Sequence, residues 1–191
     1  MLVYPFRPAQ PFGYSLLGFD EETRAPGAEL YLLGRGQRLP AAFTGSFAFC
    51  DAPQPPQQCL QPVGCARADA HAVYCDTQIS GGDLATHLSA LLAQWGERLW
   101  VYLLPMRLRF CVPCPSGQGE ALTEAALTQL LAQQPSHYSP ALVCRYCFYA
   151  DEAGAWVVLF DTDETRREKC ALARRLGVRQ LFGYLPDGCG R

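Results

Sequence analysis

The chain has 191 residues, of which 49% are hydrophobic and 18% are charged, and its formal net charge is −2. This composition supports one packed domain over residues 1–191 and argues against disorder and against the basic surface of a nucleic-acid-binding protein. No apolar run reaches the roughly 18 residues of a membrane-spanning helix, and the start of the chain lacks the basic segment of a signal peptide. We therefore expect a cytoplasmic protein without nucleic-acid or membrane partners, whose oligomeric state the sequence leaves open.

Short apolar runs rich in Val, Leu, Phe and Tyr recur along the chain and predict β-strands. Several are apolar on both faces, which is typical of strands that are covered on both sides of a sheet. In chain order the predicted strands are 13–19, 28–34, 45–50, 72–77, 98–105, 107–113, 141–150, 155–161 and 179–185. The Pro/Gln-rich segment 51–70 has no periodicity and predicts a surface loop.

Three segments have helical periodicity. The first follows Asp83 as N-cap and stops at Gly96, the second has Thr123 as a plausible cap, and the third begins in acids and stops at Gly177. These elements predict two βαβ units. The first has strand 72–77, helix 83–95 and strand 98–105, and the second has strand 155–161, helix 163–176 and strand 179–185. Such crossovers join parallel strands, so the sequence predicts an α/β fold with a mostly parallel sheet and few helices.

Acidic residues follow several of the predicted strands. They are Asp20, Asp51, Asp76, Asp161 and Asp187. In a parallel barrel the carboxyl ends of the strands share one face, where catalytic groups lie. The alternative is that each aspartate only starts a turn or caps a helix, as aspartate often does.

The last forty residues resemble the end of glycoside hydrolase family 18 barrels, the chitinase and spore-germination glycosidase-like proteins. The resemblance rests on Phe160-Asp161 at a strand end, Lys169 on the following helix, and Leu176-Gly177 before the final strand. It implies a reduced or incomplete (β/α)8 TIM-type barrel. Where the family has a tryptophan in the last strand, Tyr184 is the nearest aromatic residue.

Upstream, "ADAHAVYCDTQ" falls where this family carries its Asp-x-x-Asp-x-Asp-x-Glu signature. Asp76 is retained, His71 and Tyr74 replace the two upstream acids, and Gln78 replaces the catalytic glutamate. An amide can hydrogen-bond a glycosidic oxygen but cannot transfer a proton to it at a useful rate.

The resemblance therefore implies a catalytically impaired protein that binds carbohydrate, specifically glycans of the N-acetylglucosamine type, and needs no cofactor. Whether it is an enzyme stays open: Asp76 would lie near the chemistry, with Asp51 or Asp161 as a substitute acid. Aromatic faces for a sugar could come from several residues whose alternative role is core packing: Tyr74, Trp100, Tyr102, Trp156 and Tyr184.

The cysteines support two other functions. The chain has ten of them, and the pairs Cys111/Cys114 and Cys144/Cys147 have the spacing of a zinc ribbon. Against zinc, the second pair lies in an apolar strand-like run, where residues three apart point to opposite faces. A thiol oxidoreductase is the third hypothesis, since "CVPC" resembles a redox motif, although no helix is predicted to begin within it.

Overall fold

The computed structural model describes residues 16–18, 30–33, 47–50 and 59–183, and for the first three of these ranges it describes the backbone alone. One sheet contains β1 (Leu16–Gly18), β2 (Leu30–Leu33), β3 (Phe47–Cys50), β4 (Cys59–Pro62), β5 (Ala72–Asp76), β6 (Leu99–Leu103) and β12 (Gln180–Gly183). A second contains β7 (Arg107–Val112), β8 (Glu120–Ala121), β9 (His137–Ser139), β10 (Cys144–Asp151) and β11 (Gly154–Phe160). The helices are α1 (Leu84–Trp95), α2 (Glu124–Leu131) and α3 (Asp163–Arg175). Within these ranges none of the helices is both long and apolar enough to span a bilayer.

The first sheet is parallel throughout, as the sequence predicts. Its strands pair in the order β1-β2-β3-β4-β5-β6-β12. Strands β1 and β12 stand at its two edges, so the described strands form an open sheet. The second sheet is antiparallel, in the order β8-β7-β11-β10-β9. The protein is thus a mixed α/β fold with a parallel and an antiparallel sheet.

The crossover through α1 is confirmed. Strands β5 and β6 are parallel neighbours, and α1 joins them. Asp83 caps the helix by accepting a hydrogen bond from Thr86 N at 2.7 Å, and Gly96 ends it with φ of 57°. The buried Leu84 and Leu88 pack in one core cluster with strand residues of the parallel sheet and with α3. Helices α1 and α3 therefore cover one face of that sheet.

The second predicted βαβ unit is wrong. Strand β11 lies in the antiparallel sheet between β7 and β10, whereas β12 pairs with β6 in the parallel sheet. Helix α3 therefore connects two sheets. The missed feature is the turn between β10 and β11, where Asp151 Oδ1 accepts hydrogen bonds from Ala153 N and Gly154 N. This turn makes a long hairpin, and an apolar run such as 155–161 is buried in either kind of sheet.

The predicted loop 51–70 also needs correction, because β4 and a short 3-10 helix lie within it. Leu60 is fully buried, and the buried Gln61 Oε1 accepts a hydrogen bond from Arg67 N at 3.0 Å. A four-residue strand containing Gln and Pro has too few apolar residues to show an alternating pattern. The remainder, residues 51–58, lies outside the described residues.

Gly183 allows β6 and β12 to approach each other closely. Its φ is 109°, and a Cβ added there would lie 2.7 Å from the Tyr102 ring and 2.9 Å from Leu103 O. Any side chain would therefore force both backbone strain and a displacement of Tyr102.

We expect Gly183→Ala to lower the free energy of unfolding by about 2–4 kcal/mol, because strain at positive φ adds to the overlap with Tyr102. Urea denaturation measures the change. Gly81→Ala is the control: a Cβ there meets no atom within 4 Å, so little loss is expected. Equal stability of the two variants would contradict the close approach of the strands.

Candidate site at the carboxyl edge of the parallel sheet

Strand β5 carries the candidate site residues at its carboxyl end. Its side chains alternate: Val73 and Cys75 belong to the core under the helices, so Tyr74 and Asp76 point to the other face. Cross-strand register places Trp100 beside Tyr74 and Tyr102 beside Asp76. The parallel sheet thus brings together four of the predicted residues, Tyr74, Asp76, Trp100 and Tyr102.

An aromatic face surrounds Phe182 on β12. The Tyr102 ring stacks on Phe182 with a centroid distance of 4.8 Å and an interplanar angle of 6°. Tyr74 and Trp100 each meet Phe182 edge to face, with centroids 6.1 Å apart. These four rings form the aromatic face, and Asp76 lies at its carboxyl edge. Sequence reasoning included three of the four rings but missed Phe182, whose only signal was its place two residues before Tyr184.

Asp76 is half-buried and uses one oxygen to hold the turn after β5. Its Oδ1 accepts a hydrogen bond from Gln78 N at 2.8 Å. Its other oxygen, Oδ2, has no hydrogen-bond partner among the residues that the structure describes. A carboxylate oxygen beside aromatic rings can accept a hydrogen bond from a ligand hydroxyl or amide.

Gln78 contacts the loop between β6 and β7. Its Nε2 donates a hydrogen bond to Pro105 O at 2.8 Å. Pro105 O can only accept, so its partner must carry a proton, which a glutamine amide always does and an ionised glutamate does not. The Gln78 amide therefore fixes a neighbouring loop.

Asp161 lies on the side of β5 that the helices cover. Its Oδ2 accepts hydrogen bonds from Lys169 Nζ at 2.8 Å and from Met106 N at 2.9 Å, and its Oδ1 accepts one from Thr165 Oγ1 at 3.0 Å. The side chains of Asp161 and Lys169 are 0% and 1% exposed. Both oxygens of Asp161 are thus occupied by donors from the surrounding protein.

Lys169 connects this carboxylate to the strand end. Its Nζ also donates to Thr77 O at 3.3 Å, so one ammonium group joins α3, the end of β5 and, through Asp161, the β6–β7 loop. Sequence reasoning placed Lys169 only by resemblance. The available signal was its position next to Cys170 and within one turn of Thr165 and Leu172, on the buried stripe of α3.

Asp51 and Tyr184 lie outside the described residues. Trp156 lies on the antiparallel sheet, where it stacks against Tyr149 and carries Arg109 over its ring at 4.7 Å.

The four cysteines of the zinc hypothesis do not converge. Strand β11 separates Cys111 on β7 from β10, where Cys144 and Cys147 are buried in different core clusters. Burial raises the pKa of Cys144 to about 11 and also raises that of Cys147, which disfavours the thiolate that binds zinc. Across the described ranges no three His, Cys, Asp or Glu side chains are grouped as metal ligands.

For the redox hypothesis, the position of the nearest helix matters. Helix α2 begins at Glu124, ten residues after Cys114, so no helix of the described chain begins within "CVPC" or directly after it. The structural feature that activates the first cysteine in redox motifs of this type is therefore missing from this part of the described chain.

The fold and these contacts define a mixed α/β protein with a candidate ligand site at the carboxyl edge of its parallel sheet. No protein-family model matches the chain, and no curated protein matches it either. Among solved structures, it is similar to a chitinase from Chromobacterium violaceum, with 13% identity, a TM-score of 0.48, and coverage of 64% of this chain and 44% of that one.

Two further solved structures are similar over the same share of the chain. One is a spore cortex-lytic enzyme from Bacillus megaterium, with 16% identity, a TM-score of 0.46, and coverage of 61% of this chain and 30% of that one. The other is a glycoside hydrolase family 18 N-acetylglucosaminidase from Paenibacillus barengoltzii, with 13% identity, a TM-score of 0.43, and coverage of 64% and 46%. The chain spans less than half the length of each of these structures. At such identity the function has to be inferred from the side chains themselves.

We expect Gln78→Glu to make stability depend on pH. The introduced carboxyl can donate to Pro105 O only when protonated, so folding raises its pKa above the ordinary value of about 4.3. At pH values below about 4 the variant should be nearly as stable as the native protein. As pH rises above about 4.3 and through the raised pKa of the folded variant, it should lose about 1–3 kcal/mol relative to the native protein.

Urea denaturation of both proteins at about pH 4 and pH 7 measures this difference. Gln118→Glu, the same change at an exposed loop residue between β7 and β8, is the control and should be neutral at both pH values. A loss in Gln78→Glu that is the same at both pH values would show that the amide-to-carbonyl bond is not what holds the loop.

Proposed function

We propose that this protein binds carbohydrate of the N-acetylglucosamine type on the aromatic face of its parallel sheet, without efficient hydrolysis. The observation that carries the proposal is the arrangement at the end of β5. A half-buried carboxylate lies beside Tyr102, and one of its oxygens has no hydrogen-bond partner among the described residues, while Gln78, two residues further on, is an amide already bonded to Pro105 O.

The chemistry of this edge suits a sugar. Pyranose rings present C–H faces that pack on aromatic rings, and their hydroxyl and acetamido groups donate hydrogen bonds to carboxylate oxygens. Tyr74 and Tyr102 are both half-buried, and Tyr102 lies beside Asp76 in the strand register. Together they offer the apolar surface and the acceptor that a glycan requires.

The same edge is poorly equipped for hydrolysis. Cleavage of a glycosidic bond needs an acid that protonates the leaving oxygen. Gln78 cannot supply that proton, and both oxygens of Asp161 are enclosed by donors behind β5. Asp76 alone would have to act as both acid and orienting group, so binding is the better-supported function.

The order of the parallel strands supports a reduced barrel as the fold that presents this site. From β1 to β6 each strand pairs with the next in the chain. This sequential order is that of a (β/α)8 barrel, whereas doubly wound sheets reverse direction at a switch point. We therefore propose that the described strands are the wall of an incomplete barrel with few helices.

Titration with chito-oligosaccharides by calorimetry tests the site. The native protein should bind them and release no reducing ends on prolonged incubation. Asp76→Asn should weaken binding about tenfold or more, because Oδ1 still holds the turn while the charged acceptor is lost.

Asp69→Asn is the matched control. Asp69 is exposed near the other end of β5, where it pairs with Arg67, so its replacement should leave affinity unchanged. Absence of binding by the native protein would refute the proposed function, and turnover of the oligosaccharide would refute the impairment. Equal affinity of Asp76→Asn and native protein would place the sugar elsewhere.

A further inference from the structure

We propose that the outer edge of β10 is an interface for a second copy of this chain. The two copies pair the same segment, Cys147–Asp151, in antiparallel fashion about a twofold axis, so that their antiparallel sheets join into one. This segment is called the free edge. The inference goes beyond the proposed function and does not depend on whether the protein binds a sugar.

The free edge has a partner strand on one side. Strand β10 pairs with β11 from Arg145 to Asp151, whereas its pairing with β9 ends at Tyr146, opposite His137. In the part of the chain that the structure describes, no strand therefore pairs with the outer side of the free edge. The backbone N–H and C=O groups on the outer side of an edge strand are a template for pairing with another chain.

The free edge also lacks the features that protect edge strands from pairing. Lysine, proline and bulges usually do so, but this segment has no lysine, arginine or proline, and its register with β11 is continuous. Its one charged side chain is bound within its own hairpin, where Asp151 Oδ1 accepts hydrogen bonds from Ala153 N, Gly154 N and Trp156 Nε1. Phe148 is 59% exposed, the largest exposed fraction among the large hydrophobic residues that the structure describes.

The sizes of the side chains favour a second copy over an unrelated peptide. When the twofold axis passes beside Tyr149, this residue lies opposite its own copy, and Phe148 of each chain lies opposite Ala150 of the other. A large exposed ring then meets a small side chain twice on one face of the sheet, and the two tyrosines form an aromatic cross-strand pair on the other face. The segment is thus complementary to itself, which a twofold contact requires.

The charges at the two ends of the pairing are also complementary. The strand of the second copy would continue the row of β9 beyond His137. Ser136 does not pair with β10 there, because it lies against the side chain of Arg145, whose Nε donates a hydrogen bond to Ser136 Oγ at 3.1 Å. The exposed turn residue Glu152 of each copy then comes next to the exposed His137 of the other. A carboxylate and an imidazole therefore meet at each end of the interface.

Sedimentation velocity of the full chain tests the interface. A contact of five residues per copy is smaller than the roughly 1,200 Å² of stable complexes, so we expect a monomer–dimer equilibrium with a Kd on the order of 10–100 μM. Phe148→Lys should weaken the dimer about tenfold or more, because it places a charge on each free edge. Val112→Lys is the matched control: Val112 is 48% exposed on the same sheet face, but it lies on β7, so the dimer should persist.

Hydrogen exchange locates the contact independently of any variant. In the native protein the backbone amides of the free edge should exchange more slowly at about 500 μM than at about 5 μM, whereas those of β9 should be unchanged. Urea denaturation of both variants shows whether they are folded. If Phe148→Lys is unfolded, the concentration dependence of exchange in the native protein decides the matter.

The outcomes are distinct. Native protein that stays monomeric up to about 500 μM would overturn the inference. A dimer that Phe148→Lys leaves intact would place the contact elsewhere, and a dimer that both variants dissociate equally would show that the sheet face, not its edge, is the interface. Protection of the free edge that is the same at every concentration would overturn the inference too, because another part of the same chain would then occupy the edge.

Discussion

The buried ion pair between Lys169 and Asp161 is the interaction on which the arrangement of the two sheets depends. Removing both charges from water costs several kcal/mol, which is recovered only when further hydrogen bonds satisfy them. Here Met106 N and Thr165 Oγ1 donate further hydrogen bonds to the Asp161 carboxylate, and Thr77 O accepts one from the Lys169 ammonium group. The groups come from the end of β5, the β6–β7 loop and α3, so all three have to be in place together.

The same ion pair also helps to hold the β6–β7 loop beside the candidate site. The loop that donates Met106 N to Asp161 contains Pro105, whose carbonyl binds Gln78. The ion pair thus fixes the loop from the helix side, and the amide fixes it from the other side. Asp76 lies at the edge beside the aromatic rings, and its Oδ2 has no hydrogen-bond partner among the described residues. Both aspartates follow a strand in the sequence, but Asp161 is enclosed by donors whereas Asp76 is half-buried.

The sequence predicted those features that depend on residues close together in the chain. The three helices, the caps at Asp83 and Thr123, and the β5–α1–β6 crossover follow from periodicity and capping and were found at the predicted places. The partner of β11 depends instead on contacts with β7 and β10 that are distant in the chain, so a parallel crossover was predicted where a hairpin formed. Asp76 and Gln78 were proposed from a motif, but the Gln78 to Pro105 bond spans 27 residues and no local pattern encodes it.

A double-mutant cycle on Asp161 and Lys169 tests the central claim most directly. The free energies of unfolding of native protein, Asp161→Asn, Lys169→Met and the double variant would be measured by urea denaturation. We expect each single variant to lose about 3–5 kcal/mol, and the double variant to lose at least about 1.5 kcal/mol less than the sum. Single losses below about 1 kcal/mol that simply add would contradict the claim, because the pair would then behave like an exposed salt bridge.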